Sequence, residues 1–577
     1  MLNRYFQQEI SYLKELGAEF SEAHPAVAPM LSGPSSDPDV ERLLEGVAFL
    51  TALLRQKLDD EFPEIIHELV HLIWPHYLRP VPSATIMEFA PKPSLKQSLK
   101  IPAGVHVASV PVDGTPCLFQ TRYDVDVHPV RLMDAYFRES AGRPPAISVQ
   151  MEITGPLLSD WNPGHLRFFL AGDFSSAADL YLLMLRKLRQ IIITPLEGGT
   201  SALLSTDDLR PGGFSNNESL LPYPSNSFPG FRILQEYFVL PSKFLFLDLF
   251  GWERWKNRGS GNKFEIVFEF EELPTPLPRI HKSSFSLCAS PAVNVFPNEA
   301  DPIRLDHRRR DYLVRPSGQD KRHYQVYSVE KVTGFVQGTA KEKTYSPFDM
   351  FSAAHSTDPV YYSRLRHSPV NSGLDVYLSF SYPPGAGLNK TEIISPKIQC
   401  TNANLPEGLQ TGDISQPTST SPELVTFKNI TPPTNNILPP LGKNLLWRLL
   451  SHLSLNYLSL SNAENLKTIL ELYNFEETRD KSAFIANQKR ISGIQRVAAK
   501  GSDRLVNGVM MRGQDILMKA RLDHFSGFGD FFLFGSILDH FLGNYASINT
   551  YTRLSIQETV RGDEYQWPAR IGAHPLI

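Results

Sequence analysis

A multidomain α+β protein is the fold this sequence predicts, on three observations. The first eighty-odd residues carry apolar side chains at three- and four-residue spacing, the mark of helices with one apolar face. From about Ser83 the texture changes to short alternating runs cut by turn residues, the mark of strands. The 46 prolines suit turns and edge strands and oppose a helical solenoid. Beyond residue 444 helical and strand patterns mix again, and 577 residues exceed what one core accommodates. The expected division is a helical region at 1–82, a β-rich domain at 83–280, a second β-rich domain at 281–444 and an α+β domain at 445–577.

The first helix follows from Leu2, Phe6, Ile10, Leu13, Leu16 and Phe20, with Phe6, Leu13 and Phe20 a heptad apart. The proline-rich "HPAVAP" stops it. A second helix opens at "SDPDVERLLEGVAFLTALLRQKL", where Asp37 stands at the cap, Pro38 suits the first helical position and Asp39 and Glu41 favour the positive end. Val40, Val47 and Leu54 repeat at seven, and the stripe degrades at Lys57. This spacing fits either an intramolecular hairpin with the first helix or an intermolecular seam. A third helix spans "PEIIHELVHLIWPHYLRP", residues 63–80.

Strands are expected at "ATIMEF", "LKIPAGVHVAS", "AISVQMEI" and "KFEIVFEFEEL", the last with Phe264, Ile266, Phe268 and Phe270 on one face. Residues 198–230 read as a long loop rich in turn residues, and 401–444 have linker composition. The remainder reads as helices at "LLWRLLSHLSLNYL", "LKTILELYNF" and "FGSILDHFLGNY", with strands at "GQDILMKARLD" and "SINTYTRLSIQ".

Composition narrows function by exclusion. A formal net charge of −4 supplies no basic field for nucleic acid or anionic lipid. Cys117, Cys288 and Cys400 lie far apart, so neither a disulfide framework nor a thiolate zinc cluster is expected. The opening "MLNRYFQQEISYLKEL" is charged throughout, and the longest apolar runs are far below spanning length. A reduced, cytoplasmic setting with no membrane insertion is expected.

The third helix contains His67-Glu68-Leu69-Val70-His71, the H-E-x-x-H signature of zinc peptidases. Two imidazoles at i and i+4 share a helical face, and Glu68 between them could activate a metal-bound water. The longer signature, however, needs a glycine and then a third histidine where Trp74 and Tyr77 stand. His76 is one place early and follows Pro75, and Glu88 falls in a strand. The same helix is amphipathic without zinc: Phe62, Ile65, Ile66, Leu69, Leu72 and Ile73 form one face, and Glu64, His67, Glu68 and His71 the other. A solvated or partner-facing helix is the simpler reading, with a zinc-dependent metallopeptidase as the alternative.

There is no nucleophile elbow and no phosphate loop. "PIRLDHRRRDYLVRP" gathers Arg304, Arg308, Arg309, Arg310 and Arg315, interrupted by Asp306 and Asp311. A solvated strand-loop face or a salt-bridged protein interface fits it better than nucleic acid does.

Several stretches together resemble a known family. They are "YFQQEISYLKELGAEFSEAHP", "DPDVERLLEGVAFLTALLRQKLDDEFPEIIHELVHLIWPHYLRPVPS", "LCASPAVNVFPNEADPIRLDHRRRDYLVRP", "YSVEKV", "NYLSL", "LFGSILDHFLGNYASINTYTRL" and "WPARIGAHPLI". The chain is similar over essentially its whole length to TssF (VasA/ImpG), a baseplate wedge subunit of the bacterial type VI secretion system. The resemblance implies a structural role without catalysis or cofactor. It implies that two TssF copies join one TssG in a wedge, with TssK and the sheath-initiating TssE. Such wedges surround the VgrG spike hub in the cytoplasm, docked on the inner-membrane complex. It makes the stripes Phe6/Leu13/Phe20 and Val40/Val47/Leu54 candidate seams, and His67, His71, Arg304, Arg308 and Arg309 candidate partner contacts. The loops at 198–230 and 401–444 carry no motif of the family.

Overall fold

The computed structural model describes residues 2–23, 38–53, 70, 74, 76–139, 142, 144–223, 228–272, 277–318, 321–336, 342–348, 359–368, 373–382, 391–441, 462–475, 481–506 and 508–572. The chain divides into two compact units, Met1–Leu78 with Pro440–Leu450, and Arg79–Pro439 with Ser451–Ile577. Helices α1 (Leu2–Ala23) and α2 (38–53) belong to the first. The second contains α3 (Phe174–Arg186), α4 (Pro229–Val239), α5 (Ala463–Tyr473), α6 (Lys481–Ser492) and α7 (Phe528–Gly543). The α+β class expected from the sequence is the class observed.

The strands of the second unit are nested. A six-stranded antiparallel sheet runs in the order Ile414–Gln416, His106–Val112, Thr115–Thr121, Ala289–Val293, Ala84–Pro91, Val425–Asn429. Its two edge strands meet through one side chain. The Asn429 amide oxygen accepts the Gly412 and Ile414 N–H groups at 2.9 and 3.0 Å, and its nitrogen donates to the Gln410 and Thr431 carbonyls. Inside lie Met87, Phe89, Val107, Phe119, Ala292 and Ile414. This sheet crosses the boundary expected at 280/281. Residues 401–441, linker-like in composition, supply two of its strands rather than a tether, because the short runs Ile414–Gln416 and Val425–Asn429 within them satisfy their backbone groups against strands distant in sequence.

Between Val293 and Ile414 the chain builds a second β structure, in the order Phe296–Glu299, Glu392–Thr401, Gln325–Val336, Glu342–Pro347, Val360–His367, Leu374–Ser381, Tyr312–Val314. Ile303–Leu305 also pairs with Glu392–Thr401. Between Val127 and Ala289 it builds a five-stranded and a four-stranded sheet. In the first of these Phe264, Ile266, Phe268 and Phe270 are all fully buried, as the alternation in that strand predicts.

Residues 198–223 are less irregular than a loop reading implies. Ala202–Leu204 and Leu209–Pro211 are strands, with one capped 3₁₀ turn, Thr206–Asp208, between them and a second, Asn216–Glu218, after them. Buried ion pairs pin the segment. Arg167 bridges Glu218 and Asp248, each at 2.6 Å, and Glu236 takes the Leu220 N–H, the Arg232 guanidinium and the Lys243 ammonium. Lys243 is fully buried, and burial, opposed by Glu236, lowers its pKa to about 8.

The centre of the second unit is α7, with sequence FGDFFLFGSILDHFLG and 14 of its 16 residues buried. A helix apolar on every side must be covered on every side. Helices α3 and α4 pack on it, and it connects Val509–Ala520 to Thr550–Glu558, which are parallel strands and so require a crossover. Gly529 makes the crossing with α3 close. A Cβ there would stand 2.1 Å from the Ala178 carbonyl carbon, and the Gly529 N–H donates to Asp179 at 2.8 Å. Two buried acids anchor its ends: Asp530 pairs with Arg490 at 3.0 Å, and Asp539 with Arg570. His540 stacks on Phe214 at 3.9 Å and accepts a hydrogen bond from Arg570.

Gly529→Ala is expected to lower unfolding stability by about 3 kcal/mol or more, because backbone atoms of α3 must move. Gly46→Ala, in α2 with open space around it, is expected to raise stability by up to about 1 kcal/mol. Paired thermal melts compare the two. Burial, then Arg570 and Arg232, hold the His540 pKa well below its ordinary value, so the native ring stays neutral where the unfolded one protonates. Below about pH 6.5 the wild type should therefore lose about 1.4 kcal/mol per pH unit relative to His540→Gln. Asp539, raised by burial to about 6, shifts stability the opposite way but is common to both proteins. Melting temperatures of the two between pH 7 and pH 5 test this.

Candidate partner-binding surfaces

The first surface is helical. Helices α1 and α2 are joined by Lys14 and Glu41 at 3.1 Å, and Ala48 and Ala52 of α2 are fully buried. The heptad positions divide. Phe6, Leu13 and Val40 are half-buried, while Phe20 is 51% and Val47 44% exposed. Tyr12, Leu16, Leu43, Phe49, Leu50 and Leu53 also reach solvent. So many large apolar side chains on two short helices exceed what scattered surface hydrophobics explain. Leu54 lies outside the described residues.

The H-E-x-x-H pattern is also outside them: His67, Glu68, Leu69 and His71 are not described. Val70 is helical, and the Trp74 N–H donates to its carbonyl at 2.6 Å, one helical turn. Trp74 and Tyr77, which stand where the longer zinc signature needs glycine and histidine, are buried. Glu88 sits in a strand and accepts from the Ser286 hydroxyl at 2.7 Å. Among the described residues no three His, Cys, Asp or Glu side chains converge as metal ligands. Cys117, Cys288 and Cys400 are free and buried, and burial pushes their thiols up to between about 11 and about 12.

The second surface is the arginine turn. Its flanking strands Ile303–Leu305 and Tyr312–Val314 pair with two different strands, Glu392–Thr401 and Leu374–Ser381, so both ends of the turn are stitched down. The two interrupting carboxylates serve the turn itself. Asp306 accepts the Arg308 N–H at 3.2 Å and the Tyr312 hydroxyl at 3.0 Å, and in that order they hold its pKa below the ordinary value. Asp311 accepts from Ser379 at 2.6 Å and Arg366 at 2.9 Å; burial works to raise it, but these donors outweigh burial. His307 adopts φ +57°, a conformation rare outside glycine, with its ring edge-on to Tyr382. Arg304, Arg308, Arg309, Arg310 and Arg315 are exposed, and none of their guanidinium groups has an ion-pair partner among the described residues. The sequence located these arginines; it did not reveal that their neighbouring acids are already engaged.

Exposed apolar helices in one unit, and in the other a braced cationic turn and buried ion pairs, are the build of an assembly subunit. Comparison with known proteins identifies the assembly. The family model described as "Type VI secretion system, TssF" matches residues 1–574, and the chain belongs to that family. It is 29% identical over 631 residues to the type VI secretion system component TssF1 of Pseudomonas aeruginosa, covering 100% of this chain and 99% of that relative. It is similar to a chain of the TssK–TssF–TssG baseplate subcomplex determined by cryo-electron microscopy, with TM-score 0.78 and 28% identity over 92% of this chain and 98% of that one. A chain of the type VI baseplate complex matches with TM-score 0.62 and 26% identity over the full length of both.

Asp311→Ala is expected to cost about 2 kcal/mol, since charged donors lose a half-buried acceptor. Amide hydrogen exchange across 303–314 should rise with it while exchange in α7 stays unchanged.

Proposed function

We propose that this chain acts as a structural wedge subunit of the type VI secretion baseplate, binding TssG and TssK through exposed surfaces and catalysing no reaction. The observation that carries the reading is the apolar face of α1 and α2 in a chain similar to TssF from end to end. Burying a large side chain contributes about 1.5–3 kcal/mol, so a few of these positions suffice for a stable helical bundle. We assign Val40 and Val47, with Leu54 next in the heptad, to the TssG contact. Phe6, Leu13 and Phe20 form the neighbouring stripe, and His67 and His71 belong to a polar helix face turned to another subunit.

Within this reading a second copy of the chain and TssE complete the wedge, the VgrG hub lies at its centre and the sheath starts from it. The setting is cytoplasmic, with the baseplate docked at the inner-membrane complex. No described helix is long and apolar enough to cross a bilayer.

Val47→Glu is expected to leave the melting temperature within a few degrees and to abolish co-purification with co-expressed TssG. A variant that unfolds would instead make Val47 core, and normal capture by a folded variant would reject the assignment. For the peptidase alternative, metal analysis of the purified protein should find far less than one zinc per chain, and Glu68→Gln should leave secretion intact.

A further inference from the structure

Arg304 has apolar neighbours. It pairs across the sheet with Ile393, which pairs in turn with Phe335, and directly opposed residues of antiparallel strands point to one face. Ile393 is 46% and Phe335 45% exposed. The surface is thus an apolar pair with Arg304 beside it and Arg308, Arg309 and Arg310 on the adjoining turn. An apolar centre with a charged rim is the pattern of a protein interface, where the rim selects the partner.

The complementary pattern exists in the same sequence. Residues 1–82 contain six Lys and Arg against thirteen Asp and Glu, a net charge of −7, while the other 495 residues sum to +3. In α1 and α2, Lys14 is already paired with Glu41 and Arg42 with Asp39. Glu15 and Glu19, one helical turn apart and exposed, have no ion-pair partner among the described residues. Beside them on the helix stand Leu16 and Phe20, exposed at the same spacing.

We propose that the arginine turn, with Ile393 and Phe335, docks the Glu15/Glu19 and Leu16/Phe20 face of α1 from a second copy of this chain. The proposal rests on the assembly reading and specifies which faces the two copies use. Nucleic acid and anionic membrane would also answer the arginines, but nucleic acid offers no apolar surface to Ile393 and Phe335, and neither accounts for the acidic, apolar face of α1.

Charge exchange tests it. Sedimentation of the full-length chain should show self-association weakening at least tenfold between about 50 mM and about 500 mM NaCl, as screening shortens. Arg308→Glu/Arg309→Glu and Glu15→Arg/Glu19→Arg should each lose self-association at low salt, with melting temperatures unchanged. Mixed together, the two variants should associate with each other, because each supplies the charge the other has lost. Arg308→Gln/Arg309→Gln, which only removes charge, should weaken association less and serves if the reversal unfolds. Either variant self-associating like the wild type, or a mixture that stays monomeric, overturns the proposal. So does binding of a fluorescent single-stranded DNA or of phosphatidylserine vesicles that is lost with the arginines while self-association persists. TssG capture reads separately: a chain that ignores TssG but passes the mixing experiment fails as a wedge subunit and keeps this interface.

Discussion

The close crossing of α7 with α3 is the constraint on which the second unit depends. Gly529 lets the two backbones touch, and that contact brings residues 174–186 and 528–543 into one core. Around it, Arg490 and Arg570 reach in to Asp530 and Asp539, both essentially without solvent exposure. Such pairs add little net stability over apolar residues of the same shape, but either partner alone would be strongly destabilising. They therefore specify the arrangement. Arg570 carries this to the last described strand, Arg570–Ile571, which pairs beside Thr550–Glu558 and is tied back to α7. The "WPARIG" stretch thus has a structural account, since Trp567 also donates to Ser536 of α7.

Helical and strand periodicity made α1, the strand at 263–270 and α7 legible: the strand buries one face and α7 nearly all of its surface, while α1 gathers its apolar residues on one stripe. Other elements were hidden for physical reasons. Helix α3 lies inside a β-rich stretch, and its start depends on Asp173 accepting the Ser176 N–H, a cap that could have been found. Helix α4 starts at Pro229, at the end of what reads as a loop, and its buried Arg232, Gln235 and Glu236 spoil the usual apolar stripe. The strand at 425–429 was obscured by its linker-like composition. Non-local pairing leaves no local signature, so Ala84–Pro91 could be read as a strand but not matched to Ala289–Val293 and Val425–Asn429.

The binding surfaces were legible by residue type and not by state. Heptad spacing located Phe20 and Val47, and only coordinates separate them from half-buried Phe6 and Leu13. In the arginine turn the count of charges was correct but the balance was not. Asp306 and Asp311 look like neutralising partners in sequence, yet one closes the turn and the other holds Ser379 and Arg366. Asp311 thus directs its charge to Arg366, outside the turn, while the exposed Asp306 stays ionised beside the arginines. A mild net charge over a whole chain can conceal strong local fields of opposite sign.

Closure of the six-stranded sheet through Asn429 bears on synthesis. The Ala84 N–H finds its acceptor on Thr434, 350 residues later in the chain. At about 5–20 residues per second, a ribosome takes roughly 20 to 70 s to cover that interval. For that time the first strand has emerged without the neighbour that completes it, and its edge is open to any other extended chain.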